Sequence, residues 1–545
     1  MPPTRRKVTS SILALLLPVL VALFAPLSLI SSNLGEVDPT AGIRSIVVLA
    51  LAALGLTLAA AAIFRSLAKG ILLAAIVLVV LLSYGHVYNV VRHLSISGVL
   101  LGRHRYLLPV ALGLIVLSMV GIRAANALRL ESLASMALVA LGMVAWTSAP
   151  TVRAALTAKA AEATAAAVAP DVSMDESAAK GDLPDIYYIV LDGHGRADSL
   201  KSIYGYDSTP FVESLEAMGF YVADSSQSNY AMTSLSLASS LNMTHLTDLV
   251  DAVGGDESAH QAAEAMLNRS LVFEMAERLG YETIAFESAA PAITFDSADE
   301  LLAADFTKFG QESALLGGFS LTPFEGILLE STIGRLLFDW LVEEQNRLRP
   351  LISDIQYQRH RERILFQLQS LPTLAERAGP KFVVVHLMSP HPPFVFGPRG
   401  EQVANHRAFS LQDVGCCDTE EYVSRYRDQV TYVDRILAQS LEGILDASPA
   451  TPIIVIQGDH GPGSTLNWRR PSEEGRQERM AILNAYLVPE RCRNKLYPDI
   501  SPVNTFRLVF GSCLGRESDL LPDESHFSTY WRRFDFTTVE DREFE

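Results

Sequence analysis

The sequence is short of positive charge, of charged residues in general and of cysteine, and these shortages exclude several classes of protein. Lys and Arg number 44 against 61 Asp and Glu, a formal net charge of −17, so the chain lacks the basic footprint of a general nucleic-acid binder. Charged residues make up only 19% of the chain, whereas hydrophobic residues make up 49%. Together with a mean hydropathy of +0.22, this balance indicates membrane segments.

Only four cysteines are present: Cys416, Cys417, Cys492 and Cys513. Because no pair of CxxC motifs accompanies them, the pattern argues against a structural zinc site. Four cysteines allow three pairings, and a bond between the adjacent Cys416 and Cys417 would be strained. We expect one or two disulfides involving Cys492 or Cys513 if the compartment is oxidising.

The positive charge that the chain has is concentrated near its start, where the long apolar runs also lie. Residues 1–150 hold 11 Lys and Arg and three Asp and Glu, a net charge of +8, so the other 395 residues carry −25. Five apolar runs there are long enough for a bilayer core, at about 10–30, 43–64, 71–91, 106–122 and 132–146. The first run is too long for a signal-peptide core and lacks a clear cleavage site, so we expect a retained helix. The last two could instead be buried helices of a soluble core.

Basic residues flank these runs unevenly, which predicts an orientation. The N-terminus and the loops after the second and fourth runs hold seven basic residues: Arg5, Arg6, Lys7, Arg65, Lys69, Arg123 and Arg129. The other side holds Arg44, Arg92, Arg103 and Arg105. Under the positive-inside rule the chain starts inside, and five spans deliver everything after Trp146 to the outer face. We therefore expect a multi-pass cell-membrane protein with an extracytoplasmic C-terminal domain.

Composition changes twice more along the chain and predicts three regions. After the five-span domain, 1–147, the segment 148–183 is Ala-rich and lacks aromatics, which is typical of a partly helical stalk or flexible linker. The remainder, 184–545, alternates buried-strand runs near 185–191, 281–286, 381–387, 452–457 and 481–488 with helical patterns that include 210–218, 270–279 and 331–376. This alternation predicts a mostly parallel sheet flanked by helices on both faces.

The first of these strands ends at a carboxylate. Asp192 follows an apolar run and is followed by Gly193, and open α/β sheets bind ligands beyond the carboxyl ends of their strands. The strand at 452–457 ends in a similar way, with Asp459, His460 and Gly461. Carboxylate oxygen and imidazole nitrogen suit Mn²⁺, Zn²⁺ or Mg²⁺, and ligand type alone does not choose among them. An isolated Asp at a strand end can also be a simple turn or cap residue.

A hydroxyl at a helix start is a candidate nucleophile. Thr233 and Ser234 precede a helical apolar face, where the helix dipole and free N–H groups attract anions. A Thr hydroxyl does not ionise at neutral pH, so a metal or a base must activate it for attack on a phosphate or sulfate ester. The alternative is that this hydroxyl only caps the helix.

Two histidines follow the strand at 381–387. His386 and His391 surround a Pro-rich turn and can point into one pocket, where they could ligate a second metal, contact an anion or protonate a leaving oxygen. Either histidine could instead be purely structural.

Four features in chain order resemble the sulfatase branch of the alkaline phosphatase superfamily: the strand ending at Asp192, the helix-start Thr233, the HLMSPHPPF segment, and the strand ending in Asp459-His460-Gly461. Five spans before such a domain more specifically resemble lipoteichoic acid synthases and lipid A phosphoethanolamine transferases. The resemblance implies an alkaline-phosphatase-like, sulfatase-like α/β domain behind the five-helix transmembrane domain. It also implies one divalent metal, with Mn²⁺ or Zn²⁺ expected in preference to Mg²⁺ or Ca²⁺.

The resemblance also assigns roles to residues. Asp192, Thr233, Asp459 and His460 would ligate the metal, Thr233 would also be the nucleophile, and His391 would contact the substrate phosphate. Sulfatases mature a Cys or Ser in a Cys/Ser-x-Pro-x-Arg motif to formylglycine, and the segment after Thr233 has neither that Pro nor that Arg. The sequence also has Asp192 where the transferases usually have Glu, and Gly193 where sulfatases usually have a second Asp.

The resemblance implies a membrane-anchored, metal-dependent hydrolase or transferase that acts on phosphate esters, in preference to sulfate esters, of lipid-linked or envelope substrates. Its expected partners are the lipid bilayer and such a substrate, and not nucleic acid. The alternative is a catalytically silent relative that uses the same pocket to bind an anionic glycan or a partner. Metal analysis and turnover of a generic phosphodiester distinguish the two.

Overall fold

The computed structural model describes most of the chain. The described residues are 3–32, 39–92, 94–96, 99–100, 103–125, 128–168, 183–247, 249–253, 256–290, 293, 295, 297–306, 322–342, 355–404, 409–411, 416–515, 519–542 and 544. They form two compact units: a first unit of Met1–Ala155 and Ser313–Ser353, and a second unit of Leu156–Glu312 and Asp354–Glu545. The domain boundaries expected from composition, 147 and 184, stay a prediction.

The elements are numbered in chain order. The helices are α1 (Pro3–Ser32), α2 (Ile43–Phe64), α3 (Leu67–Val91), α4 (His104–Ala124), α5 (Leu130–Val168), α6 (Ala197–Tyr204), α7 (Thr209–Ala217), α8 (Thr233–Asn242), α9 (Leu249–Val253), α10 (Asp256–Asn268), α11 (Leu271–Leu279), α12 (Pro323–Ser331), α13 (Gly334–Val342), α14 (Ile355–Ala375), α15 (Thr419–Ala447), α16 (Glu473–Met480), α17 (Glu490–Arg493) and α18 (Pro502–Leu508). The strands are β1 (Ser95–Ile96), β2 (Val99–Leu100), β3 (Ile186–Leu191), β4 (Tyr221–Val222), β5 (Glu282–Phe286), β6 (Glu300–Leu302), β7 (Lys381–Leu387), β8 (Ile453–Gly458), β9 (Asn484–Leu487), β10 (His526–Thr529) and β11 (Arg532–Thr538).

The first unit contains the five predicted membrane helices. Among the described residues, five segments are long and apolar enough to cross a membrane: Ser10–Ser32, Thr40–Phe64, Leu67–Val91, His104–Ala124 and Leu130–Thr157. The prediction of five apolar helices of membrane-spanning length is therefore confirmed. Helix α5 continues through the Ala-rich segment to Val168, and the rest of that predicted linker, 169–182, lies outside the described residues.

The first unit also contains α12 and α13, which come from a much later part of the chain. The sequence predicted one long helix over about 331–376, and the described part of that range begins with a helix start at Thr332. This residue has an extended backbone, and its Oγ1 accepts a hydrogen bond from Gly334 N at 3.2 Å, so its side chain starts a new helix. Residues 343–354 of the predicted helix lie outside the described part, and α14 covers the rest.

The second unit is built on a seven-stranded sheet. Among the described residues the strand order is β4-β9-β8-β3-β7-β5-β6. Strands β8, β3, β7, β5 and β6 run parallel, while β9 is antiparallel to both β8 and β4. The predicted fold class, five apolar helices followed by an α/β domain with a mostly parallel sheet, is confirmed.

Helices cover both faces of this sheet because its central strands are apolar on both sides. Every residue of β3 is buried: Tyr188 and Val190 pack on one face, and Tyr187 and Ile189 on the other. The first face is covered by α8, α10, α11 and α18. The second face is covered by α7, α14 and α15. The sheet is thus enclosed on both faces, so its strand ends are where a ligand site is expected.

The cysteines form two pairs. Cys492 and Cys513 are bonded with their Cα atoms 5.1 Å apart. Cys416 and Cys417 are bonded to each other, so neither reaches Cys492 or Cys513.

Candidate active site

The candidate site lies where three neighbouring strands end. In the sheet register Leu191 of β3 pairs with Gly458 of β8 and with Leu387 of β7. Because all three strands are parallel, the residues that follow them emerge at the same edge. Asp192 follows β3, and Asp459 follows β8. The order of the strands therefore brings together two residues that are 267 positions apart in the chain.

Three side chains at this edge could hold a metal ion. Ligand atoms of Asp192, Asp459 and His460 lie within 4.8 Å of one another, and all three residues are buried. His460 Nε2 is 3.5 Å from Asp192 Oδ1 and 3.3 Å from Asp459 Oδ2. The other Asp459 oxygen, Oδ1, accepts a hydrogen bond from Gly193 N at 3.0 Å, which fixes the carboxylate.

The chemistry of these three residues fits a divalent cation. Asp192 Oδ1 and Asp459 Oδ2 are buried oxygens without a hydrogen-bond partner in the described part of the chain. An unpaired buried carboxylate oxygen is costly, and a cation would satisfy both. Two carboxylates and one imidazole form a ligand set that suits Zn²⁺ or Mn²⁺.

Asp192 is surrounded by imidazoles. His386 Nε2 lies 3.3 Å from Asp192 Oδ2, and Ser288 Oγ lies 2.8 Å from His386 Nδ1. Burial raises the pKa of the Asp192 carboxyl, but the charge of His391 and the contact with His386 lower it by more, so its pKa lies well below the ordinary value. The carboxylate is therefore ionised, as a metal ligand must be.

His460 is held in the tautomer that a metal ligand needs. Its Nδ1 lies 2.9 Å from Gly461 O, which can only accept, so Nδ1 carries the proton and Nε2 has a lone pair. That lone pair faces Thr233, Asp192 and Asp459. Burial, and then the guanidinium of Arg479, lower the pKa of His460, which keeps the imidazole neutral.

Thr233 is the first residue of α8 and reaches the same place. Its Oγ1 is 3.1 Å from His460 Nε2. Met232 occupies the N-cap position of α8 without a side-chain cap, so the Thr233 hydroxyl faces the site and does not cap the helix. Because α8 starts here, the positive end of its dipole is directed at the space next to Thr233.

His391 lies in the loop after β7 and borders the site. Its backbone N donates to Asp192 O at 3.0 Å, and its ring centroid is 6.1 Å from that of His460. Gln429 of α15 donates to the carbonyls of Pro390 and His391, both at 3.1 Å, and so fixes the loop. The turn after Asp192 needs glycine because Gly193 has a φ of +74°. All five residues predicted from sequence thus lie at one edge of the sheet, and their roles remain a prediction.

Arg479 also reaches this site, and the sequence motifs do not identify it. It lies on α16, is 1% exposed, and places Nη2 2.9 Å from His460 Nε2. Its neighbour Glu478 is buried as well and accepts hydrogen bonds from the loop after His460. The one sequence signal is that both charges lie just before the apolar run that leads into β9, where a solvated helix face is the simpler interpretation.

Comparison with known proteins identifies one family. A protein-family model described as Sulfatase matches residues 184–488, which covers β3 to β9 and all the residues of the candidate site. None of the curated proteins compared with the chain matches it.

Several solved structures are similar to this chain at low sequence identity. The C-terminal periplasmic domain of EcEptC from Escherichia coli, in complex with Zn, is 13% identical with a TM-score of 0.41, covering 66% of this chain and 94% of that one. The integral membrane protein lipooligosaccharide phosphoethanolamine transferase A (EptA) from Neisseria meningitidis is 13% identical with a TM-score of 0.35, covering 92% and 95%. The lipoteichoic acid synthase LtaP from Listeria monocytogenes is 14% identical with a TM-score of 0.36, covering 71% and 89%.

Proposed function

This chain belongs to the sulfatase family, and we propose that it is a membrane-anchored, metal-dependent enzyme that transfers or hydrolyses phosphate esters of lipid-linked or envelope substrates. The observation that carries this proposal is the 3.1 Å contact between Thr233 Oγ1 and His460 Nε2, next to the buried carboxylates of Asp192 and Asp459. A hydroxyl, two carboxylates and a neutral imidazole at one helix start are the parts that nucleophilic phosphoryl transfer requires.

The proposed ligands of the cation are Asp192, Thr233, Asp459 and His460. When bound, a divalent cation there would lower the pKa of the Thr233 hydroxyl and neutralise negative charge on the phosphate. Asp192 and Asp459 contribute two negative charges that favour a divalent over a monovalent ion. The contact of His386 with Asp192 Oδ2 orients the first carboxylate, and Gly193 N orients the second.

The proposed reaction begins with Thr233. Its Oγ, once it has lost its proton to solvent, forms a bond to phosphorus while the bond from phosphorus to the leaving oxygen breaks. The N-terminus of α8 stabilises the negative charge on the remaining phosphate oxygens. His391, whose ring lies 6.1 Å from that of His460, is placed to contact these oxygens or to protonate the leaving oxygen. The product of this half-reaction is a phosphoryl group bound to Thr233 Oγ1, which keeps any second ester group that the substrate phosphate carried.

A second nucleophile then releases the phosphoryl group from Thr233. An acceptor hydroxyl makes the protein a transferase, and water makes it a hydrolase. We infer phosphate esters as substrates before sulfate esters because Thr233 is followed by Ser234-Leu235-Ser236-Leu237, which lacks the Pro and Arg of the formylglycine motif.

Two observations support an extracytoplasmic position for this chemistry. Basic residues are more numerous on the side of the N-terminus, and an odd number of spans would carry the C-terminal part to the opposite side. The disulfide between Cys492 and Cys513 is of the kind that persists in oxidising compartments.

Replacing the nucleophile tests this proposal. We expect Thr233→Ala in the full-length, manganese-loaded protein to lower kcat for bis-p-nitrophenyl phosphate by more than about 10³-fold, because the covalent route is lost. Ser234→Ala, which removes the neighbouring hydroxyl on the same helix, is the matched control and should keep wild-type turnover. Release of p-nitrophenol is the measurement.

Two results would contradict the assignment. Thr233→Ala with unaltered turnover removes Thr233 as nucleophile. A wild-type protein that binds the metal and inorganic phosphate but turns over no phosphodiester supports the catalytically silent alternative. Peptide mass spectrometry of protein quenched during turnover of bis-p-nitrophenyl phosphate should find a p-nitrophenyl phosphoryl group on Thr233.

A further inference from the structure

Arg479 is a buried guanidinium that reaches the candidate active site from outside the sequence motifs. Its side chain is 1% exposed, and Nη2 lies 2.9 Å from His460 Nε2. Its Nε donates to Ala231 O at 2.9 Å, two residues before Thr233. The guanidinium carbon also lies 5.3 Å from the centre of the Trp468 ring. The positive charge is therefore fixed next to the nucleophile by three separate contacts.

The hydrogen bond from Arg479 Nη2 to His460 Nε2 cannot form while a cation is bound to the same nitrogen. Because His460 Nδ1 carries the proton that faces Gly461 O, Nε2 has one lone pair. That lone pair can accept one hydrogen bond, from Arg479 Nη2 at 2.9 Å or from Thr233 Oγ1 at 3.1 Å, or it can bind a cation. A cation held by Asp192, Asp459 and His460 would therefore take the acceptor that Arg479 uses. Leaving a buried guanidinium N–H without an acceptor is costly, so Arg479 would then favour an anion as its new acceptor.

We propose that Arg479 binds the non-bridging oxygens of the substrate phosphate after a cation has replaced it at His460. This inference rests on the proposed function and adds a substrate-binding residue to it. The planar fork of N–H groups on a guanidinium matches two oxygens of one phosphate. The cation and the anion then bind cooperatively, since the cation releases Arg479 for the anion, and each ligand raises the affinity for the other.

The backbone around Arg479 is tied to the metal-ligand loop. Gly461 N donates to Arg479 O at 2.7 Å. A Cβ at Gly461 would collide with the backbone oxygen of Glu478, so only glycine allows the loop and α16 to approach this closely. The side chain of Glu478 accepts hydrogen bonds from Ser464 N and Thr465 N, both at 2.8 Å. Arg479 is therefore held at a fixed position relative to His460.

Calorimetric titration of inorganic phosphate into the full-length protein tests the proposal. For the wild type we expect phosphate affinity to be about tenfold higher or more with Mn²⁺ than without it. Arg479→Gln should lower the affinity of the Mn²⁺-loaded protein for phosphate by about 10- to 100-fold. Its Mn²⁺ affinity without phosphate should equal or exceed that of the wild type, because Arg479 no longer competes for His460. Arg479→Lys keeps the positive charge and loses the planar fork of N–H groups, so its phosphate affinity should lie between those of the wild type and Arg479→Gln.

Arg476→Gln, at a half-buried arginine on the same helix, is the matched control and should leave both affinities unchanged. The proposal is overturned if Arg479→Lys and Arg479→Gln bind phosphate within about twofold of the wild type. It is also overturned if Arg479→Gln loses Mn²⁺ affinity by the same factor as phosphate affinity, because Arg479 would then only support the metal site. If the Gln variant does not fold, the Lys variant decides. Phosphate binding requires no turnover. A fully active Thr233→Ala variant would therefore refute the proposed reaction but would leave the phosphate affinities of the Arg479 variants unchanged.

Discussion

His360, a histidine on α14, is buried beside the candidate active site, and its surroundings strongly lower its pKa. Its side chain is 1% exposed, its ring lies 5.8 Å from that of Phe409, and the Coulombic field of Asp192 reaches it. Burial, and then the charges of Arg363 and His391, lower the pKa of His360 to about 3. This histidine is therefore neutral in the folded protein, whereas in the unfolded chain it titrates near 6.5.

The depressed pKa of His360 predicts a loss of stability in mild acid. Below about pH 6.5 the unfolded chain binds a proton that the folded protein does not bind until about pH 3, so stability rises with pH across this window. The free energy of unfolding should fall by up to about 1.4 kcal/mol per pH unit within it. His360→Gln should reduce the difference in melting temperature between pH 7.5 and pH 5.5 by roughly 2–4 °C in the full-length protein.

Gln369→Ala, at an exposed uncharged residue on the same helix, is the control and should keep the wild-type pH dependence. If the melting temperature of His360→Gln falls with acid as steeply as that of the wild type, His360 does not cause the acid sensitivity.

Residues of the candidate site differ in how far the sequence reveals them. Asp192, Asp459 and His460 each follow a strongly apolar run, and the rule that ligands bind at strand ends applies to them without a structure. Arg479 lies on a short helix between a loop and a strand, where an arginine is usually solvated. Its burial depends on Ala231 and Trp468, which are distant in sequence, so no local pattern shows it.

Among the elements, the central strands were predictable and their order was not. The bounds predicted for the strand at 381–387 agree with β7, and those of β3, β5 and β8 agree within one residue at each end, because each is a short apolar run. Neither the position of β7 between β3 and β5 nor the antiparallel direction of β9 can be read from hydropathy, since both depend on how the connecting segments cross the sheet. Asp192 and Asp459 meet at the edge of the sheet because β3 and β8 are neighbours in this strand order.

One helix, α16, fixes the loop that follows His460. The carboxylate of Glu478 accepts hydrogen bonds from the backbone and hydroxyl groups of Ser464 and Thr465, and from the hydroxyl of Tyr204. Because Glu478 is fully buried, these donors have been removed from water and depend on a charged acceptor. The loop therefore takes its shape from one side chain.

Glu478→Gln should loosen this loop. The amide has one oxygen where the carboxylate has two, so its NH₂ group would face at least one of the loop's N–H donors. We expect a loss of about 2–4 kcal/mol in the free energy of unfolding and a fall in melting temperature on the order of 5 °C or more. Turnover of bis-p-nitrophenyl phosphate should also fall, because His460 precedes the loop.

The control for this substitution is Glu474→Gln on the exposed side of the same helix, which should behave as the wild type. Equal melting temperatures for the two variants would show that Glu478 does not anchor the loop.

At the scale of the whole molecule, the chain leaves its second unit after β6 and contributes α12 and α13 to the first. Within that first unit, Ile333 N donates to Leu81 O of α3 at 2.7 Å. A Cβ at Gly85 would collide with the backbone oxygen of Glu330, so glycine allows this close approach. Hydropathy along the chain does not reveal such a return, because α12 and α13 are too short to resemble membrane spans.

The central claim is that Asp192, Asp459 and His460 form one cation site in a protein that also carries five membrane helices. Elemental analysis of the purified full-length protein, after loading with Mn²⁺ or Zn²⁺ and removal of excess ion, tests it most directly. The account predicts about one tightly held divalent cation per chain in the wild type and in Asp446→Asn, an exposed carboxylate used as control. It predicts little or none in Asp192→Asn and in Asp459→Asn. Equal metal content in all four proteins, or none in the wild type, would contradict it.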